Sequence, residues 1–245
     1  HPLRHQALRQ YVTWPDGIPF AAWRAAPDLA APVLHSVLKA ISKGQPPPRD
    51  FNNGLLFLLP RKKSGVGSDT RPLSVTNTDN RLIAATVAHA IMPTMLDLID
   101  PAQKGFLNGR QGSDHVVDIN TFFFEGVEAG DKRFLFLLDT AKAVDHHWAS
   151  PPWFARFVHG ALREVRVSPY FGSHTNVWID IERGVKQGCP LSPLLFVLAF
   201  DPLLHKLRQL PHLQTFAFAD DIAIAIVSTG SIKRFFPTIS DFSEV

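Results

Sequence analysis

Short apolar runs and longer apolar patterns alternate along the chain. The short runs predict two strands. One lies at 55–59 and ends at Pro60, and the other lies at 134–138 and is expected to be buried on both faces. Alternating residues predict a further strand at 177–181. Apolar residues at helical spacing predict five helices. The first helix is expected over 28–41, and the second from Thr78 or Asp79 to an end or kink at Pro93. The third is expected after Ser113, and the fourth within 149–165, where two prolines delay its start. The fifth is expected from Ser192.

The segment from Phe216 to Ile226 predicts a β-hairpin, because two runs rich in strand-forming residues flank a pair of carboxylates. The predicted turn, 219–222, places Asp220 and Asp221 side by side at the hairpin tip. Adjacent negative charges repel unless a cation neutralises them, and Mg²⁺ prefers oxygen ligands. The dipeptide alone fits either a site for a divalent cation or an exposed turn with two solvated side chains.

A basic, glycine-containing loop follows the first predicted strand and leads into a returning strand at 71–75. The loop contains Arg61, Lys62 and Lys63, so two strands with this connection form either a flap that closes on phosphates or a solvated charged turn. Further along, the run from Gly184 to Pro193 predicts a loop that leads into a helix. Its glycines allow the backbone to approach a ligand closely.

Composition indicates a globular chain, since 45% of the 245 residues are hydrophobic and 19% are charged. A net charge of +3 permits a polyanionic partner. The single cysteine, Cys189, excludes an internal disulfide partner and favours an intracellular location, in the nucleus or the cytoplasm. No apolar run is long enough to span a membrane, so we expect no membrane partner. The chain starts without Met, from which we expect a piece of a longer protein.

Three features stand in one order along the chain: the strand that ends at Asp139, the Gly-Val-Lys-Gln-Gly-Cys-Pro-Leu-Ser-Pro run at 184–193, and Phe218-Ala219-Asp220-Asp221. Together they resemble the reverse transcriptase domain of non-LTR retrotransposons and group II introns, from residue 55 to the end. The resemblance implies an α+β fold, a right-hand polymerase with fingers and a palm. The palm would be an antiparallel sheet backed by helices, and a thumb would be missing.

The same resemblance implies a domain organisation. We expect an N-terminal extension of unknown role at 1–50, fingers at 51–130 and a palm at 131–245 that is incomplete at its C-terminus. Gly105, Phe106 and Arg110 resemble the finger segment near the template.

The resemblance implies an RNA-directed DNA polymerase that transfers nucleotides from dNTPs to a primer 3′-hydroxyl by a two-metal reaction. The expected partners are an RNA template, a DNA or RNA primer and dNTPs, and the expected cofactor is Mg²⁺, or Mn²⁺ in its place. Asp139, Asp220 and Asp221 would be the catalytic residues and the metal ligands. Six residues would bind the nucleotide: Arg71, Lys62, Lys63, Val144, Gln187 and Gly188.

The sequence departs from the family pattern at three places, one of which is the missing thumb. Val144 stands where an aromatic ring usually blocks a ribose 2′-hydroxyl, which predicts weaker discrimination against ribonucleotides. The segment from Asp145 to Gly184 is also shorter than is usual. These departures leave two alternatives open: a catalytically dead relic that at most binds nucleic acid, and an RNA-dependent RNA polymerase. Val144 supports the second alternative, and the run at 184–193 argues against it.

Overall fold

The computed structural model describes residues 14–60, 70–139, 151–171, 175–181, 185–227 and 229–243, and the side chain of Asp139 is not described. Lys62, Lys63 and Val144 lie outside these residues. In chain order the described elements are α1 Phe20–Ala25, α2 Pro27–Ser42, β1 Gly54–Pro60, β2 Thr70–Thr76, α3 Thr78–Leu98, α4 Ser113–Ala129, β3 Phe134–Asp139, α5 Pro152–Leu162, β4 Arg166–Pro169, β5 Ile179–Asp180, α6 Ser192–Arg208, β6 Leu213–Phe218, β7 Asp221–Ile226 and α7 Thr229–Ser243.

The observed elements confirm the predicted mixture of strands and helices, which fits the α+β class. α5 begins at the second of its two prolines, as expected, and α6 begins at Ser192. Pro93 was predicted to end or kink its helix; it does not end it, because α3 continues to Leu98, and the kink stays a prediction. β5 is shorter than the predicted strand at 177–181.

The chain forms two compact units, each built from two separate stretches of sequence. Unit one contains residues 1–89 and 149–192, and unit two contains residues 90–148 and 193–245. The expected division into fingers and palm stays a prediction. Within the described part of the chain, no helix combines the length and the apolar character needed to cross a membrane.

Unit one is built on a mixed four-stranded sheet in the order β2-β1-β4-β5, in which β1 pairs antiparallel with β2 and parallel with β4. Two buried asparagines hold the loop before β1. The Nδ2 of Asn52 donates to the carbonyls of Gly160 and Arg163, at 2.9 and 2.7 Å, and that of Asn80 donates to Asn52 Oδ1 at 3.1 Å. Because buried amides need hydrogen-bond partners, these contacts fix the position of β1 relative to α5 and α3.

Unit two is built on a three-stranded antiparallel sheet in the order β3-β7-β6. The central strand, β7, alternates isoleucine and alanine, and alternate residues of a strand point to opposite faces. Ala225 packs with Phe122 of α4 on one face. On the other face the isoleucines pack against α6 and α7, in a fully buried cluster that contains Ile222, Ile224, Ile226, Phe200, Leu203, Leu204, Leu207 and Phe235.

The prediction that β3 is buried on both faces is wrong. Phe136 and Leu138 pack against the α6–α7 cluster, whereas Leu135 and Leu137 are 36% and 77% exposed. In the described residues β3 pairs only with β7 and therefore lies at the edge of its sheet. A continuous apolar run is typical of a central strand, but an edge strand with one covered face can carry the same residues.

Candidate active site

The β6–β7 hairpin carries two of the three predicted catalytic residues. Phe218 pairs with Asp221, which leaves Ala219 and Asp220 as a two-residue turn and confirms the predicted hairpin. Ala219 has a φ of 57°, in the left-handed region that two-residue hairpin turns require. Asp220 and Asp221 are both exposed at this turn.

The third predicted catalytic residue lies on the neighbouring strand. The register of β3 on β7 makes Asp139 the Cα partner of Asp221. Partners in an antiparallel ladder have Cα atoms about 4.5–5.5 Å apart, so the backbones of the three aspartates meet at one end of the sheet. Among the side chains that the structure describes, which exclude that of Asp139, no group of three His, Cys, Asp or Glu residues converges as a metal site would.

A carboxamide from outside the hairpin holds the turn. The side chain of Gln103 is fully buried, and its Oε1 accepts hydrogen bonds from the amides of Ala219 and Gly105, both at 2.8 Å. Its Nε2 donates to the carbonyl of Ala219 at 3.3 Å. No local pattern in the sequence marks Gln103 as a contact of the turn, and the glycine two residues later is the only local signal of a close backbone approach.

Gly105 packs directly against the turn. A Cβ atom at this position would lie 2.3 Å from the amide nitrogen of Ala219 and 3.0 Å from its Cα. Because real Cβ atoms do not approach backbone this closely, only glycine fits here without moving the turn.

Arg110 was expected near a template, but its described contacts are structural. Its guanidinium donates hydrogen bonds to four backbone carbonyls at 2.7–2.9 Å, those of Leu96, Ile99, Asp100 and Gln103. The last carbonyls of a helix lack partners within the helix. Arg110 therefore closes the C-terminal end of α3 and fixes the loop that carries Gln103.

The described nucleotide-binding candidates lie in unit one. Arg71 is exposed on β2, and Gln187 and Gly188 are exposed in the loop before α6. The amide of Ser74 donates to the carbonyl of Gln187 at 2.8 Å, which fixes this loop against β2. Gly188 has a φ of 106°, and a Cβ atom there would lie 2.5 Å from the carbonyl oxygen of Ser74.

Lys186, beside these candidates, is a buried residue whose position the sequence did not reveal. Its side chain is 5% exposed, and its Nζ has no hydrogen-bond partner in the described structure. Burial lowers the pKa of its ammonium group, because an apolar environment disfavours the charged form.

Comparison with known proteins identifies the family. The family model described as reverse transcriptase (RNA-dependent DNA polymerase) matches residues 60–244. The transposon TX1 uncharacterized 149 kDa protein of Xenopus laevis is 26% identical over 89% of this chain and 18% of its own length. The retrovirus-related Pol polyprotein from type-1 retrotransposable element R2 of Popillia japonica is 28% identical over 71% of this chain and 27% of its own length.

A third relative, the retrovirus-related Pol polyprotein from type-2 retrotransposable element R2DM of Drosophila melanogaster, is 29% identical over 72% of this chain. The chain spans between 18% and 27% of the length of these three relatives. The family model covers most of the chain and confirms the resemblance seen in the sequence. The chain belongs to the reverse transcriptase (RNA-dependent DNA polymerase) family.

Proposed function

We propose that the chain is the catalytic domain of a retrotransposon-encoded RNA-directed DNA polymerase, which extends a DNA or RNA primer with dNTPs on an RNA template. The observation that carries the proposal is the register of β3 on β7, which pairs Asp139 with Asp221 next to the Asp220 turn. Two matched relatives are named as Pol polyproteins of retrotransposable elements, which supports the origin.

The three aspartates fit the divalent cations that reverse transcriptases use. Carboxylate oxygens are the ligands that Mg²⁺ prefers, and Asp220 and Asp221 present theirs at the exposed end of the sheet. We assign Asp139, Asp220 and Asp221 as the residues that would hold Mg²⁺, or Mn²⁺. Bound there, the cations would activate the primer 3′-hydroxyl and neutralise charge on the triphosphate and its leaving group.

The protein's own part in phosphoryl transfer is positioning and charge compensation rather than covalent chemistry. Arg71 would grip the triphosphate, since a guanidinium offers several donors to phosphate oxygens at once. Lys62 and Lys63 would add point charges. Gln187 and Gly188 would line the nucleotide pocket, where the hydrogen bond from Ser74 fixes their loop, and Val144 would lie beside the ribose.

The assignment to a right-hand polymerase gives unit two's antiparallel sheet, with α6 and α7 packed on one face, the role of the palm core. The fingers at 51–130, the palm at 131–245 and the extension at 1–50 belong to the same proposal.

Primer extension tests the function. The chain is incubated with a primed RNA template, Mg²⁺ and dNTPs, beside Asp220→Asn, which keeps the size of the side chain but removes its charge. We expect extension that requires Mg²⁺ and is abolished in the variant. Parallel reactions with NTPs separate a DNA polymerase from an RNA polymerase, and preferential use of NTPs would overturn the proposed substrate.

Calorimetric titration with Mn²⁺ provides a readout that does not depend on turnover. We expect Mn²⁺ binding to the parent chain and weaker binding to Asp220→Asn. A folded chain that neither extends a primer nor binds Mn²⁺ through Asp220 would support the dead relic instead.

A further inference from the structure

We propose that Gln103 is a positioning residue that fixes both peptide groups of Ala219 and thereby orients Asp220. This inference rests on the proposed function, which gives Asp220 a metal-binding role. Gln103 itself is buried and 116 residues away from Ala219 in the sequence, so it would act through the backbone of the turn.

The geometry of the turn explains why it needs this support. Ala219 adopts a left-handed conformation, which costs energy for any residue with a Cβ atom. The amide of Ala219 belongs to the peptide group before it, and its carbonyl belongs to the peptide group that leads to Asp220. The carboxamide of Gln103 binds the first through Oε1, at 2.8 Å, and the second through Nε2, at 3.3 Å. Because one planar group holds both, the φ and ψ angles of Ala219 are fixed together.

The carboxamide is itself rigidly held. Gln103 forms a parallel bridge with Ala217 of β6, flanked by hydrogen bonds from the amide of Lys104 to the carbonyl of Ala217 at 2.8 Å and from the amide of Ala217 to the carbonyl of Ala102 at 2.9 Å. Arg110 donates to the carbonyl of Gln103, also at 2.9 Å. The backbone of Gln103 is therefore fixed on both sides, and the complete burial of its side chain leaves the carboxamide little freedom to move away from the turn.

A carboxamide supplies the acceptor and the donor that this position uses without any change of protonation, whereas an ionised carboxylate supplies acceptors only. In Gln103→Glu the carboxylate has no donor for the carbonyl of Ala219, and two oxygens then face each other. Gln103→Met keeps a similar volume and removes both hydrogen bonds to Ala219 together with the one from the amide of Gly105. Gln209→Glu is a matched control, because Gln209 is exposed beyond the end of α6.

A displaced carboxylate is expected to change turnover and metal affinity. Misplacement of a catalytic group by about 1 Å can cost 10²-fold in rate, so we expect kcat to fall by about 10- to 100-fold in both Gln103 variants. The KM for dNTP should stay within about twofold of the parent value, because the proposed nucleotide-binding residues are other side chains. A uniform loss of folded protein would lower the active fraction and leave the affinity of the remaining sites for Mn²⁺ unchanged.

The test combines three measurements on the full chain and on the three variants: amide hydrogen exchange by NMR, Mn²⁺ affinity by calorimetry, and kcat and KM in primer extension. We expect the amide of Ala219 to exchange roughly tenfold faster in Gln103→Met, since a lost hydrogen bond changes an opening equilibrium by about this factor. The amide of Ile224, in the middle of β7, should keep its protection. Gln209→Glu should match the parent in all three measurements.

The outcomes separate this inference from the proposed function. Unchanged Ala219 exchange in folded Gln103→Met, or unchanged kcat and Mn²⁺ affinity in an otherwise active chain, overturns the role of Gln103. A parent chain with no Mn²⁺ binding and no extension, but with an Ala219 amide that Gln103 protects, refutes the proposed function and leaves Gln103 as a structural clamp. If Gln103→Met does not fold, the same exchange and affinity measurements on Gln103→Glu decide between these outcomes.

Discussion

Gly188 offers a test that separates packing from ligand binding. The resemblance assigns it to the nucleotide pocket, whereas the structure also packs it against the backbone of β2. Gly188→Ala would force a side chain into a φ of 106°, which costs about 1–3 kcal/mol. The added Cβ would lie 2.5 Å from the carbonyl oxygen of Ser74, and overpacking of this kind costs about another 1–3 kcal/mol.

We therefore expect Gly188→Ala to lower the free energy of unfolding by about 2–6 kcal/mol, a large part of the total of about 5–15 kcal/mol that is typical of a domain. Gly17→Ala is the matched control in the same unit, because Gly17 has a φ of 74° and no atom within 4 Å of an added Cβ. In Gly17→Ala only the backbone strain should lower the free energy of unfolding, by about 1–2 kcal/mol. Urea unfolding measures both losses, with the m-value as a check that the denatured state is unchanged.

The result that would refute this reasoning is a Gly188→Ala variant no less stable than Gly17→Ala. If such a variant also had a raised KM for dNTP, Gly188 would serve the nucleotide and not the packing of its loop on β2. A variant that is destabilised as expected shows that the glycine is needed for the fold before any ligand binds.

Three further predictions use the same approach. Gly105→Ala should lower kcat by about 10- to 100-fold because it displaces the Ala219 turn. Gly109→Ala adds backbone strain at a φ of 79° but has open space around its Cβ, so it should lose some stability and keep the parent kcat; equal kcat values for the two variants would contradict the close contact. Lys186→Met should be more stable than the parent near neutral pH, because burial depresses the pKa of the lysine and the unfolded state binds more protons. The parent should gain stability in urea unfolding as pH rises from the depressed pKa towards 10.5, and the variant should lack this slope; equal slopes would contradict a buried amine. Ile224→Ala should lower the free energy of unfolding by about 2–5 kcal/mol, because Ile224 is fully buried. Leu137→Ala should lower it by less than about 0.5 kcal/mol, because Leu137 is exposed. Similar melting temperatures for the two variants would contradict the placement of the core.

The sequence predicted the hairpin and its carboxylates well because both depend on local patterns. Two strands around a tight turn follow from residue type and spacing, and so does a helix that begins at Ser192. The pairing of Asp139 with Asp221 is different, since it depends on which strands become neighbours. The order of motifs along the chain supplied it through the family resemblance, and hydrophobic patterning alone did not.

The supporting contacts could not be predicted, because they join residues that are distant in the sequence. Gln103 and Arg110 are ordinary polar residues in a loop. Nothing local indicates that Gln103 holds the Ala219 turn or that Arg110 binds the carbonyls at the end of α3. The exposure of Leu137 was missed for a related reason. An apolar run does not reveal whether its strand lies at the centre or the edge of a sheet.

The clamp on the turn also has a consequence for the order in which the protein folds. A hairpin with a two-residue turn forms from neighbouring residues and closes within microseconds. The bond between Gln103 and Ala219 joins residues 116 positions apart, so it must await a much larger search of the chain. The hairpin that carries Asp220 and Asp221 can therefore form before its contact with Gln103 does, and the backbone geometry at Asp220 is complete only once that contact has formed.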